Sequence, residues 1–129
     1  MRAFTKFETA LFALPIHKGA CAMAPLRRLA ARVWRAEGIA APLPRIVAGR
    51  GVERSGAALA SYCQGDYIVL SRHQRCPTIL LHELAHAIAQ DPPPYHGLEF
   101  IKLYCRLLVK YGNIEAMLLK SLVNQHNLV

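Results

Sequence analysis

The chain has 129 residues, of which 53% are hydrophobic and 19% are charged, a length and composition that suit one domain with a modest core. No apolar run approaches the roughly 20 residues that a membrane-spanning helix needs. The formal net charge is +8, and residues 1–81 carry all of this excess. A one-sided basic surface attracts polyanions, so one expectation is non-specific DNA contact through this half. A solvated basic face without a partner is the alternative.

Residues 1–24 are predicted to form a short amphipathic lead-in that packs on the domain. Arg2 and Lys6 precede an apolar stretch, which has a faint likeness to a secretory signal. Glu8 and Pro15 interrupt that pattern, so a cleaved signal is the less favoured alternative. The chain is therefore divided into a lead-in of residues 1–24 and a single domain of residues 25–129.

Hydrophobic periodicity predicts the remaining elements. Residues 25–38 read as a helix, because proline suits a first turn and glycine suits an end. Residues 45–48, 59–63 and 67–70 read as strands, and the last two are close enough for a hairpin. Three helices follow, one from Pro77, one from Leu98 and one capped by Asn113. This order predicts an α+β fold, with a small three-stranded antiparallel sheet and helices packed on one side.

The four cysteines are far apart in the sequence and include no C-x-x-C pair: Cys21, Cys63, Cys76 and Cys105. This spacing argues against a cysteine zinc ribbon and favours reduced, mostly buried thiols. We therefore expect a cytoplasmic protein, and the basic half extends that expectation to the nucleoid.

The helix predicted from Pro77 carries the pattern H-E-x-x-H. His82 and His86 are four residues apart, so they stand on one helix face and can bind the same metal ion. Glu83 is adjacent to His82 and can reach a water at that metal. The alternative interpretation is that both histidines are ordinary helix residues that bind no metal.

A third ligand is expected soon after this helix, because a catalytic zinc usually has three protein ligands and one open position. The three prolines at 92–94 must end the helix, and His96 and Gly97 follow directly. We predict that His96 is the third ligand of a Zn²⁺ ion, with Glu99 as the alternative. A structural zinc site, completed by another donor, stays open at this point.

Four segments resemble the SprT-like zinc metallopeptidases, the family of SprT and Spartan. Residues 67–71 are similar to the strand before the family's motif helix, residues 78–87 to its LLHE(L/M)xHA helix, and residues 96–100 to its HGxxF segment. The apolar stripe after Phe100 is similar to the helix that follows in the family. The resemblance covers roughly residues 58–110. It implies a minimal zincin-like domain with proteolytic activity, which in relatives often acts on DNA-bound proteins.

Other metallopeptidase patterns fit less well. The metzincin pattern requires Gly at 89 and His at 92, where this chain has Ala89 and Pro92. Domains of the ImmA/IrrE type share the helix motif and remain relatives to consider.

The function expected from these features is a zinc-dependent endopeptidase that hydrolyses protein substrates. Glu83 would be the general base, and Tyr95 or Tyr104 would supply a second donor to the oxyanion. Glu99 is a candidate for orienting a ligand histidine. The alternatives are a non-catalytic, zinc-stabilised binding module, DNA-associated or an accessory of a phage or mobile element, and a regulatory peptidase of the ImmA/IrrE type.

Overall fold

The computed structural model describes six stretches of the chain, residues 3–14, 21–49, 62–64, 66–72, 75–90 and 96–128. These stretches contain five helices and three strands, in the order α1 (Ala3–Phe12), α2 (Met23–Ala36), β1 (Arg45–Ala48), β2 (Tyr62–Gln64), β3 (Tyr67–Leu70), α3 (Pro77–Ala89), α4 (Leu98–Tyr111) and α5 (Ala116–Gln125). Within them, no helix has both the length and the apolar character needed to cross a membrane.

The sheet is mixed, so the predicted three-stranded antiparallel sheet is wrong. Its order is β1-β3-β2, with β3 parallel to β1 and antiparallel to β2. The hairpin of β2 and β3 was expected, but β1 pairs with β3 instead of with its neighbour in sequence. Ile68, Val69 and Leu70 are buried in succession, which is typical of a central strand with both faces covered. The fold is α+β only in this looser sense.

The predicted helices occur with shifted ends. The helix expected at residues 25–38 is α2, which begins two residues earlier at Met23. The last helix begins at Ala116 instead of directly after Asn113: Glu115, with extended backbone, is its N-cap, and Asn113 lies before it at φ +58°. Of the strand predicted at 59–63, residues 62 and 63 lie in β2 and residues 59–61 lie outside the described stretches.

The core surrounds α3, the helix that carries the histidine motif. Leu80, Leu81 and Leu84 of α3 are fully buried, and α3 packs against α2, α4 and the sheet. The expected amphipathic lead-in contains a regular helix, α1, whose Phe7 and Leu11 are fully buried in the same core. Packed in this way, α1 brings Phe4 and Glu8 into contact with His82 of α3.

Candidate metal centre

Three imidazole rings from two segments converge on one point. α3 carries His82 and His86 on one face, and His96 comes back to them immediately before α4. Nε2 of His96 lies 3.1 Å from Nε2 of His86 and 3.2 Å from Nε2 of His82. The predicted grouping of these residues is thus confirmed to the extent that their side chains lie close enough to hold one metal ion.

The distances between the ring nitrogens fit a tetrahedral ion. Two imidazole nitrogens that each lie about 2.0–2.1 Å from a tetrahedral zinc are about 3.3–3.4 Å apart. The observed separations of 3.1 and 3.2 Å are close to that value. Neutral imidazoles are ordinary ligands of zinc, and three of them leave the fourth position open. The donor set and its spacing therefore suit Zn²⁺, although they do not identify the metal.

The backbone of His96 has an unusual conformation. Its φ is +74°, which lies in the left-handed region that residues with a Cβ seldom adopt. Gly97, which follows, has an ordinary φ of −70°. The left-handed conformation is thus adopted by the histidine and not by the neighbouring glycine, which would adopt it at lower cost. Strained backbone of this kind is concentrated at functional sites, and here it accompanies the turn that brings the His96 ring to α3.

Glu83 is a buried carboxylate beside the three rings. It is 6% exposed, and its Oε2 lies 4.0 Å from Nε2 of His82. The pKa of Glu83 is raised to about 7, chiefly by burial, with an opposing contribution from His82 and a further increase from Glu8. A carboxylate with a pKa near neutrality is well matched to a general base, and a bound cation would lower that pKa.

The other nitrogen of His82 interacts with α1. Nδ1 of His82 lies 2.8 Å from Oε2 of Glu8, and the hydroxyl of Tyr104 donates a hydrogen bond of 2.8 Å to the same oxygen. Tyr104 is fully buried, and both its burial and Glu8 raise the pKa of its phenol. The Tyr104 proton is therefore directed at Glu8 instead of being free for the predicted donation to an oxyanion. Tyr95, the other predicted donor, lies outside the described residues.

Two phenylalanine rings pack against the histidine rings. Phe4 of α1 stacks on His96, with ring centroids 4.5 Å apart and an interplanar angle of 16°. Phe100 of α4 stacks on His86 at 4.2 Å and 23°. These contacts restrict the rotation of both imidazoles.

Sequence reasoning missed Phe4 and Glu8 as parts of this site. The available signal was the spacing of Phe4, Phe7, Glu8 and Leu11, which follows the i, i+3, i+4, i+7 pattern of one helix face. A carboxylate in the middle of an otherwise apolar stripe suggests a buried polar partner.

The alternative ligand Glu99 is not part of the cluster. It lies in the first turn of α4 and is exposed, and the candidate metal-binding group found among the described residues does not include it. Cys105 and Cys76 are partly buried free thiols whose pKa values are raised by burial. A raised pKa disfavours the thiolate that binds metals.

No match was found for this chain among protein-family models, curated proteins or solved structures.

Proposed function

We propose that the chain is a zinc-dependent metallopeptidase of the SprT-like type. The observation that carries the proposal is the convergence of three Nε2 atoms beside a buried carboxylate on the same helix, 4.0 Å from the nearest ligand nitrogen. An ordinary surface helix would not bury Glu83 next to two histidines, because a buried carboxylate without a cation is costly. The combination is what metal-assisted hydrolysis requires.

Each residue has one role in the proposed reaction. His82, His86 and His96 would hold the zinc ion, which when bound acts as a Lewis acid toward water and the peptide carbonyl. Glu83 accepts a proton from the attacking water and passes it to the leaving amine. The burial of Glu83 and its position 4.0 Å from Nε2 of His82 support this role, because a general base must lie close to the water that it deprotonates.

The proposed substrate is an extended peptide segment. In the described part of the sheet, β2 is an edge strand, since β3 separates it from β1. An edge strand can add a substrate strand through backbone hydrogen bonds, which is a sequence-tolerant way to bind a protein chain. DNA-bound proteins are a further expectation that stems from the resemblance and from the basic half of the chain.

A non-catalytic, zinc-stabilised binding module is the second candidate. The observation in its favour is the cover over the site, because Phe4 stacks on His96 and the His82 side chain is only 12% exposed. A structural metal site is closed in this manner, whereas a catalytic one needs access for substrate. Such a module requires the three histidines but has no use for the Glu83 carboxylate.

The variant Glu83→Gln separates the two candidates. It removes the general base and leaves the three imidazoles, so we expect zinc binding to persist and cleavage of an unfolded casein substrate to fall by about 10²–10⁴-fold. Cleavage should be measured on zinc-loaded protein, with zinc content determined on the same samples.

Glu99→Gln is the matched control, because it makes the same chemical change at an exposed position outside the cluster. It should retain wild-type cleavage. Zinc binding by a wild type that cleaves no casein or self substrate, with or without DNA, would contradict the peptidase proposal and favour the binding module.

A further inference from the structure

Glu8 is a second carboxylate at the site, half-buried, and the proposed reaction does not use it. It is separated from His82 by 74 residues and from Tyr104 by 96, so the fold alone brings these three residues together. One oxygen of Glu8 accepts from both partners, at 2.8 Å each. Its side chain is 16% exposed, which limits competition from water for these hydrogen bonds.

The bond from His82 to Glu8 determines which ring nitrogen is available. A neutral imidazole carries one N–H, and a carboxylate facing Nδ1 favours that nitrogen as the donor. The lone pair is then on Nε2, the atom that faces His96 at 3.2 Å. A carboxylate in this position also increases the basicity of the ligand nitrogen.

Tyr104 acts on His82 through Glu8. Its hydroxyl is fully buried and donates to the Glu8 oxygen that also faces Nδ1. This second donor fixes the carboxylate in the orientation that the imidazole needs. Glu8 thus links Tyr104 to His82, and these two residues need no direct hydrogen bond with each other.

The helix α1 holds Glu8 in place and contacts a second ligand as well. Phe7 and Leu11, on the same face as Glu8, are fully buried in the core. Phe4, one turn before Glu8, stacks on the His96 ring. Docking of α1 therefore restrains two of the three proposed ligands, one through a hydrogen bond and one through ring stacking.

We propose that Glu8 is the positioning residue of the three-histidine site and that docking of α1 and binding of the metal strengthen each other. This inference rests on the proposed function, because it assigns Glu8 to the same metal site. Coupling between two equilibria is reciprocal, so whatever factor α1 docking adds to zinc affinity, zinc adds to α1 docking. The helix α1 then contributes to metal binding as well as to core packing.

The test compares zinc affinities of wild type and Glu8→Gln by competition with a chromogenic chelator. The amide has nearly the same shape as the carboxylate but lacks its charge, so we expect an affinity lower by about 10- to 100-fold. Tyr104→Phe should weaken affinity in the same direction by a smaller factor. The double variant should be no weaker than Glu8→Gln alone, since Tyr104 acts through Glu8.

Glu37→Gln is the matched control, because Glu37 is another carboxylate that accepts hydrogen bonds from a tyrosine and other side chains of a distant helix, here α4. It should lower stability without changing zinc affinity. Amide hydrogen exchange of α1 gives an independent readout: zinc should slow exchange in wild type, and by a smaller factor in Glu8→Gln.

The outcomes separate the two proposals. A folded Glu8→Gln variant with wild-type zinc affinity would overturn the positioning role and leave the metal site intact, since Glu8 would then only anchor α1. A Tyr104→Phe variant with wild-type zinc affinity would overturn the contribution of Tyr104. Should Glu8→Gln fail to fold, Tyr104→Phe and the exchange rates of wild-type α1 decide the question. Absence of zinc binding by wild type would overturn the metal site, and with it this inference.

Discussion

At the scale of single residues, the backbone of His96 carries the most distinctive constraint in the site. A residue with a Cβ in the left-handed region costs about 1–2 kcal/mol relative to right-handed backbone, and His96 has φ +74°. Stacking on Phe4 and the close approach to the other two rings accompany this conformation. The backbone strain at His96 is a consequence of the turn that directs its imidazole ring toward α3.

A comparison of two variants, each with a smaller residue at position 96, tests this backbone strain in the metal-free protein. Asparagine adopts the left-handed region far more readily than alanine does. We therefore expect metal-free His96→Asn to be more stable than His96→Ala by about 1 kcal/mol, measured by urea unfolding. Equal stabilities would indicate that the backbone at position 96 relaxes once the ring is removed.

The four residues of the predicted centre could be identified from the sequence because they lie close together along the chain. His82, Glu83 and His86 lie within five residues, and His96 follows a break that prolines require. Glu8 could not be assigned to the site in this way, because its contact with His82 spans 74 residues. Only its place on an apolar stripe marked it, and that pattern does not name a partner.

At the scale of elements, Glu37 connects α2 to α4. It caps the C-terminal end of α2, and its carboxylate accepts hydrogen bonds from Arg106, Lys110 and Tyr111. Burial acts to raise the pKa of Glu37, but Lys110, Tyr111 and Arg106 together outweigh it, so the pKa is lowered below 4.5. The ionised form is therefore more favourable in the folded chain than in the unfolded one.

This shift predicts how the stability of Glu37→Gln depends on pH. A lowered pKa contributes stability that is fully present above the unfolded value near 4.5 and is lost as pH falls through the folded value. We expect Glu37→Gln to lower the free energy of unfolding by about 0.5–1 kcal/mol at pH 7, since half-exposed Arg106 and Lys110 are screened by water.

The difference between wild type and Glu37→Gln should shrink as pH falls below 4.5. Urea unfolding of both proteins at a series of pH values measures it. A difference that stays constant down to pH 3 would show that the charge of Glu37 has no role and that only its packing matters.

The sheet shows why the pairing of the strands was harder to predict than their positions in the sequence. Residues 45–48 and 67–70 were identified as strands because they are apolar and β-branched, which is a local property. Their pairing is a non-local property, and the expectation that sequence neighbours pair holds in about two-thirds of cases. The three successive buried residues of β3 were the available indication that β3 is central.

At the scale of the whole molecule, several basic residues have structural roles. Arg27 donates to the carbonyl of Ile46, and Arg75 donates to the carbonyl of Gly49. The guanidinium of Arg32 lies 5.7 Å from the centre of the Tyr111 ring, a cation–π distance. Part of the positive charge is therefore used within the fold, and contact with DNA stays a prediction.

The most direct test of the account is the zinc content and ligand environment of the protein. Apo protein should take up one zinc per chain, and X-ray absorption should show three imidazole nitrogens and one oxygen around the metal. His82→Ala, His86→Ala and His96→Asn should each lose most of this binding, whereas Glu99→Gln should retain it. A wild-type chain that binds no zinc, or binds it through cysteine sulfur with His96 dispensable, would contradict the account.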